Sequence, residues 1–233
     1  MFESERVPYL IAFTFFSFFP GIYTCYFSLP IKDYLPYRVG ASIKRLMEVP
    51  PFAPKPVYEI SLYYKNKNTG EIRVFNSSNA PWQDTANWVY VKTETKLIEE
   101  GYIPPIQDFS AVSIDGTDIT EELLSGGYQL WVVAYDLHKS SKKGLTNIAP
   151  ISYFFDKYGI KTYLLTASDR DFVNKWVKEN SLPWTITIMD GTTLKSMIRS
   201  NPGLLLVWNG TILGKWHYNS LPSVDEIMKK VLK

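Results

Sequence analysis

"IRSNPGLLLVWNGTILGKW", residues 198 to 216, decides the fold. Leu204 to Trp208 and Thr211 to Trp216 are runs of strand-forming residues on either side of Asn209-Gly210, the dipeptide that best tolerates the two positive φ angles of a type I′ turn. A tight hairpin is predicted. Pro202 stands at the mouth of the first strand, where a missing N–H removes no ladder hydrogen bond. A cis Asn201-Pro202 bond is one way to turn the chain sharply into a sheet there.

Upstream of the hairpin, from about Asp108, apolar runs alternate with helical patterns. "FSAVSIDGTDITEELLSGG" reads as a strand, an Asp115-Gly116 turn and a short helix capped by Asp118 or Thr120. "YQLWVVAYD" is continuously apolar, as buried central strands are. "LTNIAPISYFFDKYG", "IKTYLLTAS" and "DRDFVNKWVKENS" then give helix, strand and helix, with Ser168 the expected N-cap of the last. "WTITIMD", "GTTLKSMIRS", the hairpin and the amphipathic "SVDEIMKKVLK" follow. The order β-α-β-α-β-α-β-β-α, with a proline ahead of the penultimate strand, is the thioredoxin-like arrangement: an α/β domain with a central mixed sheet and flanking helices.

The 233 residues, 45% of them apolar and 15% aromatic, suffice for one good-sized domain plus an appendage. A formal charge of +2 with dispersed lysines and arginines argues against a nucleic-acid surface. The single cysteine, Cys25, excludes an intrachain disulfide and any dithiol couple. With His138 and His217 the only histidines, no zinc spacing exists and no cofactor is expected.

The N-terminal segment differs in composition. From Val7 to Ile31 no residue is charged, and at about 1.5 Å per residue such a helix spans roughly 37 Å, enough for a hydrocarbon core of about 30 Å. Residues 1–31 are therefore expected to be a transmembrane anchor, with a cleaved signal peptide as the rival reading. Arg6 precedes the span while Lys32, Arg38, Lys44 and Arg45 follow it, so the positive-inside rule alone puts the rest of the chain in the cytoplasm. Four prolines between Pro50 and Pro56 mark residues 32–56 as an extended stalk. "VYEISLYYKNKNTGEIRVFN" alternates around Asn68-Thr69-Gly70, and "WVYVKTETKLIEE" reads as a third strand running into a helical turn. These make a small β-rich subregion, 57–100, ahead of the thioredoxin-like domain, 101–233.

"TLKSMIRSNPGLLLVWNGTILGKWHYNSLP", "CYFSLPIKDYLPYRVG", "VPPFAPKPVYE" and "GYIPPIQDFS" together resemble the C-terminal part of the DoxX-like membrane proteins of Bacteroidetes. In such proteins a four-helix membrane bundle precedes a last span that leads outward into a periplasmic thioredoxin-like domain. The resemblance implies a single-pass inner-membrane protein with residues 32–233 in the periplasm and a DoxX-type bundle as membrane partner. Here Met1 stands just before the last span, so the chain is expected to be a short form, or the bundle to be encoded separately or lost by truncation.

Redox-active thioredoxin-like proteins carry two cysteines where the first central strand gives way to its helix, because the helix N-terminus lowers a thiol pKa. The corresponding stretch is "YDLHKSSKKGLTNIAP". If Pro150 matches the proline common in that helix, Lys142 to Leu145 occupy the cysteine positions. Ser140 and Ser141 have no thiol couple and no identifiable activating base. "HKSSKK" is either a solvated basic loop or an anion-binding helix start. Partner-binding candidates are Asp136, His138, Lys142, Lys143, Asn201, Pro202 and His217, the last with a structural histidine as its alternative. The expected role is a non-enzymatic, membrane-anchored binding or assembly module. The alternatives are an accessory domain of a redox complex whose cysteines lie on a partner, or a purely structural stalk and cap.

Overall fold

The structure is a computed structural model that describes residues 13–14, 27–30 and 32–232. The span expected over Val7–Ile31, with Cys25, lies almost wholly outside them. Among the described residues no helix is long and apolar enough to cross a membrane. The chain forms two compact units, Glu48–Pro104 and a larger one of Met1–Met47 with Pro105–Lys233.

The smaller unit is an antiparallel sheet of β1 (Val57–Asn66), β2 (Ile72–Phe75) and β3 (Trp88–Glu99), in the order β2-β1-β3. Asn66 closes the first hairpin by accepting from the amides of Asn68 and Thr69 at 2.9 and 3.0 Å, and Gly70 supplies the positive φ of 73°. The helical turn expected at the end of "WVYVKTETKLIEE" does not form. Leu97 and Glu99 pair instead with Tyr58 and Val57, so the ladder carries the strand to its end.

The larger unit begins with α1 (Ile43–Met47), β4 (Ala111–Ser113), α2 (Thr120–Ser125) and β5 (Tyr128–Val133). A 3₁₀ turn (Leu137–Lys139), α3 (Lys142–Asp156), β6 (Lys161–Thr166), α4 (Arg170–Asn180), β7 (Trp184–Met189) and α5 (Gly191–Met197) follow. β8 (Gly203–Trp208), β9 (Thr211–His217) and α6 (Val224–Val231) close it. The sheet order is β4-β7-β6-β5-β8-β9. β5, β6 and β7 run parallel, while β4, β8 and β9 are antiparallel to their neighbours. This mixed sheet, with the Asn201-Pro202 peptide cis at the entry to β8, is the thioredoxin-like fold.

Alternation along each strand builds two cores. Leu130 and Val132 of β5 face one side with Ile148, Phe155, Val173 and Ile227 of α3, α4 and α6. Trp131 and Val133 face the other with Ile43, Leu123, Leu194 and Met197 of α1, α2 and α5. A sheet covered on both faces needs apolar residues at consecutive positions, which is why "YQLWVV" and "GLLLVW" read as unbroken runs. Asn209 and Gly210 have φ of 45° and 70°, the two positive angles the hairpin requires.

Two expectations need correcting. The stalk does not begin at residue 32, because residues 33–47 fold onto the edge strand β9. Gly40 N donates to Ile212 O (2.7 Å), Ile212 N to Ala41 O (3.0 Å) and Ile43 N to Gly210 O (2.9 Å). An edge strand offers a row of unpaired backbone groups, and Tyr37, Ala41 and Ile43 gain burial by covering it. The caps also shift. Asp169, not Ser168, caps α4 by accepting from Phe172 N at 2.9 Å, while the buried Ser168 hydroxyl accepts from Leu137 N. Ile119 precedes α2 with no side-chain cap, Asp118 accepting from Thr120 N instead.

Candidate functional site

The corner where β5 hands over to α3, beside the cis-proline, is the place the fold offers for chemistry. Ser141 caps α3 by accepting from Gly144 N at 3.1 Å. Pro150 lies inside the helix, and Lys142 opens it. Gly144 is a glycine for a steric reason: a Cβ there would come within 2.9 Å of both the Pro202 ring and Tyr218. The first turn of α3 thus presses directly on the cis-proline.

Hydrogen bonds lock the corner from both strands. Ser141 N donates to Asn201 O (3.0 Å), and Asn201 Nδ2 donates to Asp136 O (2.7 Å). The Ser200 hydroxyl donates to Pro202 O and accepts from Tyr218 N. The backbone beside the cis-proline therefore has its Asn201 carbonyl already occupied by the chain itself. Two polar side-chain atoms at this corner, Ser140 Oγ and Asn201 Oδ1, are buried without a partner among the described residues. Each is an orphan of the kind that costs stability unless a water or ligand reaches it.

The candidate residues divide into three groups. Asp136, Asn201 and Pro202 meet at the corner, and Lys142 and Lys143 stand exposed on the adjoining first turn of α3. Burial raises the Asp136 carboxyl, but hydrogen bonds from Lys139 and the nearby ammonium outweigh it and leave the pKa lowered. His138 turns away toward α4, stacked on Phe172 with ring centroids 3.6 Å apart and 3.4 Å from Asp169 Oδ2. His217 is a correction. It pairs with Gly203 behind the corner, is only 4% exposed, and its Nδ1 accepts from Asn219 N at 3.1 Å. Burial lowers its pKa and keeps its ring off the surface offered to a partner.

Lys215 went unnoticed in the sequence. Its ammonium, on a side chain only 5% exposed, sits 2.5 Å from Asp33 Oδ2 and donates to Tyr37 O at 3.0 Å. The partners are 182 residues apart, and the one local signal is the Asp of "LPIKDYLPYRVG". Among the described residues no group of His, Cys, Asp and Glu is placed to hold a metal ion.

One family profile, a domain of unknown function (DUF8463), matches residues 58–100, which is the small β sheet. No curated protein matches the chain. Among solved structures the chain is similar to a thioredoxin-like protein from Aeropyrum pernix, at 14% identity and a TM-score of 0.42 over 53% of this chain and 88% of that one. It is similar to a thiol:disulfide interchange protein from Bacteroides sp., at 16% identity and 0.42 over 54% and 86%. A third is BsSco, of the Sco family of cytochrome c oxidase assembly proteins, at 12% identity and 0.42 over 53% and 89%. The fold assignment rests on the strand order and the parallel crossovers.

Proposed function

We propose that the chain is a membrane-anchored, non-redox thioredoxin-like module that binds or assembles a membrane partner, with residues 32–233 in the periplasm beside DoxX-type helices. One observation carries the non-redox part. Where a dithiol would stand, the start of α3 offers Ser140, Ser141, Lys142, Lys143, Gly144 and Leu145 against Pro202, and the chain's one cysteine lies at position 25. A thiol-disulfide cycle needs a thiolate to attack and a second thiol to resolve the mixed disulfide. Serine supplies neither.

What supports binding is the character of the corner: two unpartnered polar atoms beside two exposed lysines on the adjoining helix turn. The anchor and the periplasmic side come from the uncharged segment Val7–Ile31 and the DoxX-like resemblance, and a C-terminal alkaline phosphatase fusion should accordingly be active. The decisive experiment is affinity purification of the full chain from detergent-solubilised membranes. A DoxX-type membrane protein should co-purify, and reversing both charges with Lys142→Glu and Lys143→Glu should reduce its recovery severalfold at unchanged expression. Recovery without such a protein, or reduction of insulin disulfides above a no-protein blank, overturns the reading.

A further inference from the structure

A second site lies on the edge strand β9, where residues 29–30 and 32–35 meet Lys215. A cavity of about 120 Å³ opens there, walled by Leu29, Leu35 and Asp33 and by three cations, Lys32, Arg199 and Lys215. It holds several times the roughly 30 Å³ that one water takes in the liquid, enough for a tetrahedral oxyanion.

The charges in it do not balance. Among the described residues Asp33 is the only carboxylate lining it against three cations, and neither Lys32 nor Arg199 has a carboxylate partner. The Lys32 ammonium lies 5.0 Å over the Tyr34 ring instead. Lys215 and Asp33 form the part-buried ion pair of the cavity, and Lys32 and Arg199 add two exposed cations at its rim. Lys215 also has donor capacity in reserve. Its ammonium has three N–H groups and spends two, on Asp33 Oδ2 and Tyr37 O. The Arg199 guanidinium adds a planar fork suited to two oxygens of one anion. The burial of the Lys215 ammonium lowers the local dielectric around it and strengthens its attraction for an anion.

We propose that this cavity binds a phosphate monoester, with the phosphoryl group against Lys215 and Arg199 and the ester substituent outside. Two positive charges stand uncompensated, and a phosphate monoester carries about −1.5 to −2 near neutral pH. A carboxylate would neutralise one of them. The same phosphoryl chemistry is presented by a soluble phosphate ester and by the headgroup of phosphatidic acid in a bilayer.

The test uses the full chain in detergent, titrated with inorganic phosphate and, separately, with acetate by calorimetry. Saturable phosphate binding at least roughly tenfold tighter than acetate is expected, and Arg199→Gln should weaken it by roughly tenfold. Lys215→Met also strips Asp33 of its partner, so substitution of the exposed Arg199 is the deciding variant, with Lys32→Gln as a second, weaker one. In a parallel arm the chain is reconstituted with phosphatidylcholine vesicles with or without phosphatidic acid, and the shift in its thermal midpoint is read. A shift with soluble phosphate alone assigns a soluble ligand, and one with phosphatidic acid alone a lipid ligand, provided Arg199→Gln removes it. No response in either arm, or responses that Arg199→Gln leaves unchanged, overturns the site.

Discussion

The two sheets of this protein are built on opposite terms. In the larger one β5 and β8 are buried along nearly their whole length. In the smaller one β3 is exposed over eleven of its twelve residues, and β1 buries only Leu62 and Tyr64. A sheet with helices on both faces draws its stability from area removed from water. A bare one depends on cross-strand pairs. The small sheet gathers those pairs at one end, where the Tyr64 ring meets Phe75, Trp82 and Tyr90 edge-on at 5.8, 6.3 and 5.8 Å. Tyr58, Ile60 and Leu97 remain exposed on it.

The largest effects should follow that division. Phe155 is fully buried under the large sheet, and Phe155→Ala should cost about 3–5 kcal/mol through lost transfer energy and the cavity left behind. Tyr64→Ala should cost less, about 2 kcal/mol, because it removes a few edge-to-face contacts worth ~0.5–1.5 kcal/mol each. Hydrogen exchange resolved by segment measures both: protection in β5 and β6 should fall for the first variant, and protection in β1 to β3 for the second. Equal losses would break the comparison.

Local side-chain caps should give intermediate effects of similar size in both units. Ser223 and Glu226 form a reciprocal capping box at the start of α6, and Ser223→Ala should cost about 1 kcal/mol. Asn66→Ala removes the acceptor of two turn amides in the small unit and should cost about 0.5–1.5 kcal/mol. Exchange in α6 and in the β1–β2 hairpin, respectively, reads each change.

Local signals made most of the fold legible. The Asn-Gly turn, the proline before β8 and the unbroken apolar runs are each decided within a few residues, and each is found where the sequence put it. What escaped was set by distance. Residues 33–47 look like the start of a proline-rich stalk because nothing near them says that β9 has an open edge. Ser168 and Asp169 are both good capping residues, and only the demand of Leu137 N for an acceptor decides between them. At the candidate corner the residue set was legible, but the bond from Ser141 N to Asn201 O is a tertiary contact without a sequence signature. The Lys215–Asp33 pair is of the same kind.

The smallest expected effect separates the units by pH. Both histidines of the chain lie in the larger unit, and residues 48–104 contain none. Burial lowers the His217 pKa in the folded state, so the unfolded chain takes up a proton at a higher pH than the native protein does. Between the lowered folded value and the ordinary value of about 6.5 the unfolded state binds more protons, and stability there rises with pH. The larger unit should therefore be fully stabilised above about pH 6.5 and lose stability as pH falls through that value, with a slope below about 1.4 kcal/mol per pH unit for one proton. His217→Asn retains an acceptor for Asn219 N and should flatten this dependence. Urea midpoints followed through Trp131 and the strands around it, across pH 5.5 to 7.5 or about one unit either side of the ordinary histidine value, make the measurement. A slope that survives in the His217→Asn variant would assign the proton to another group.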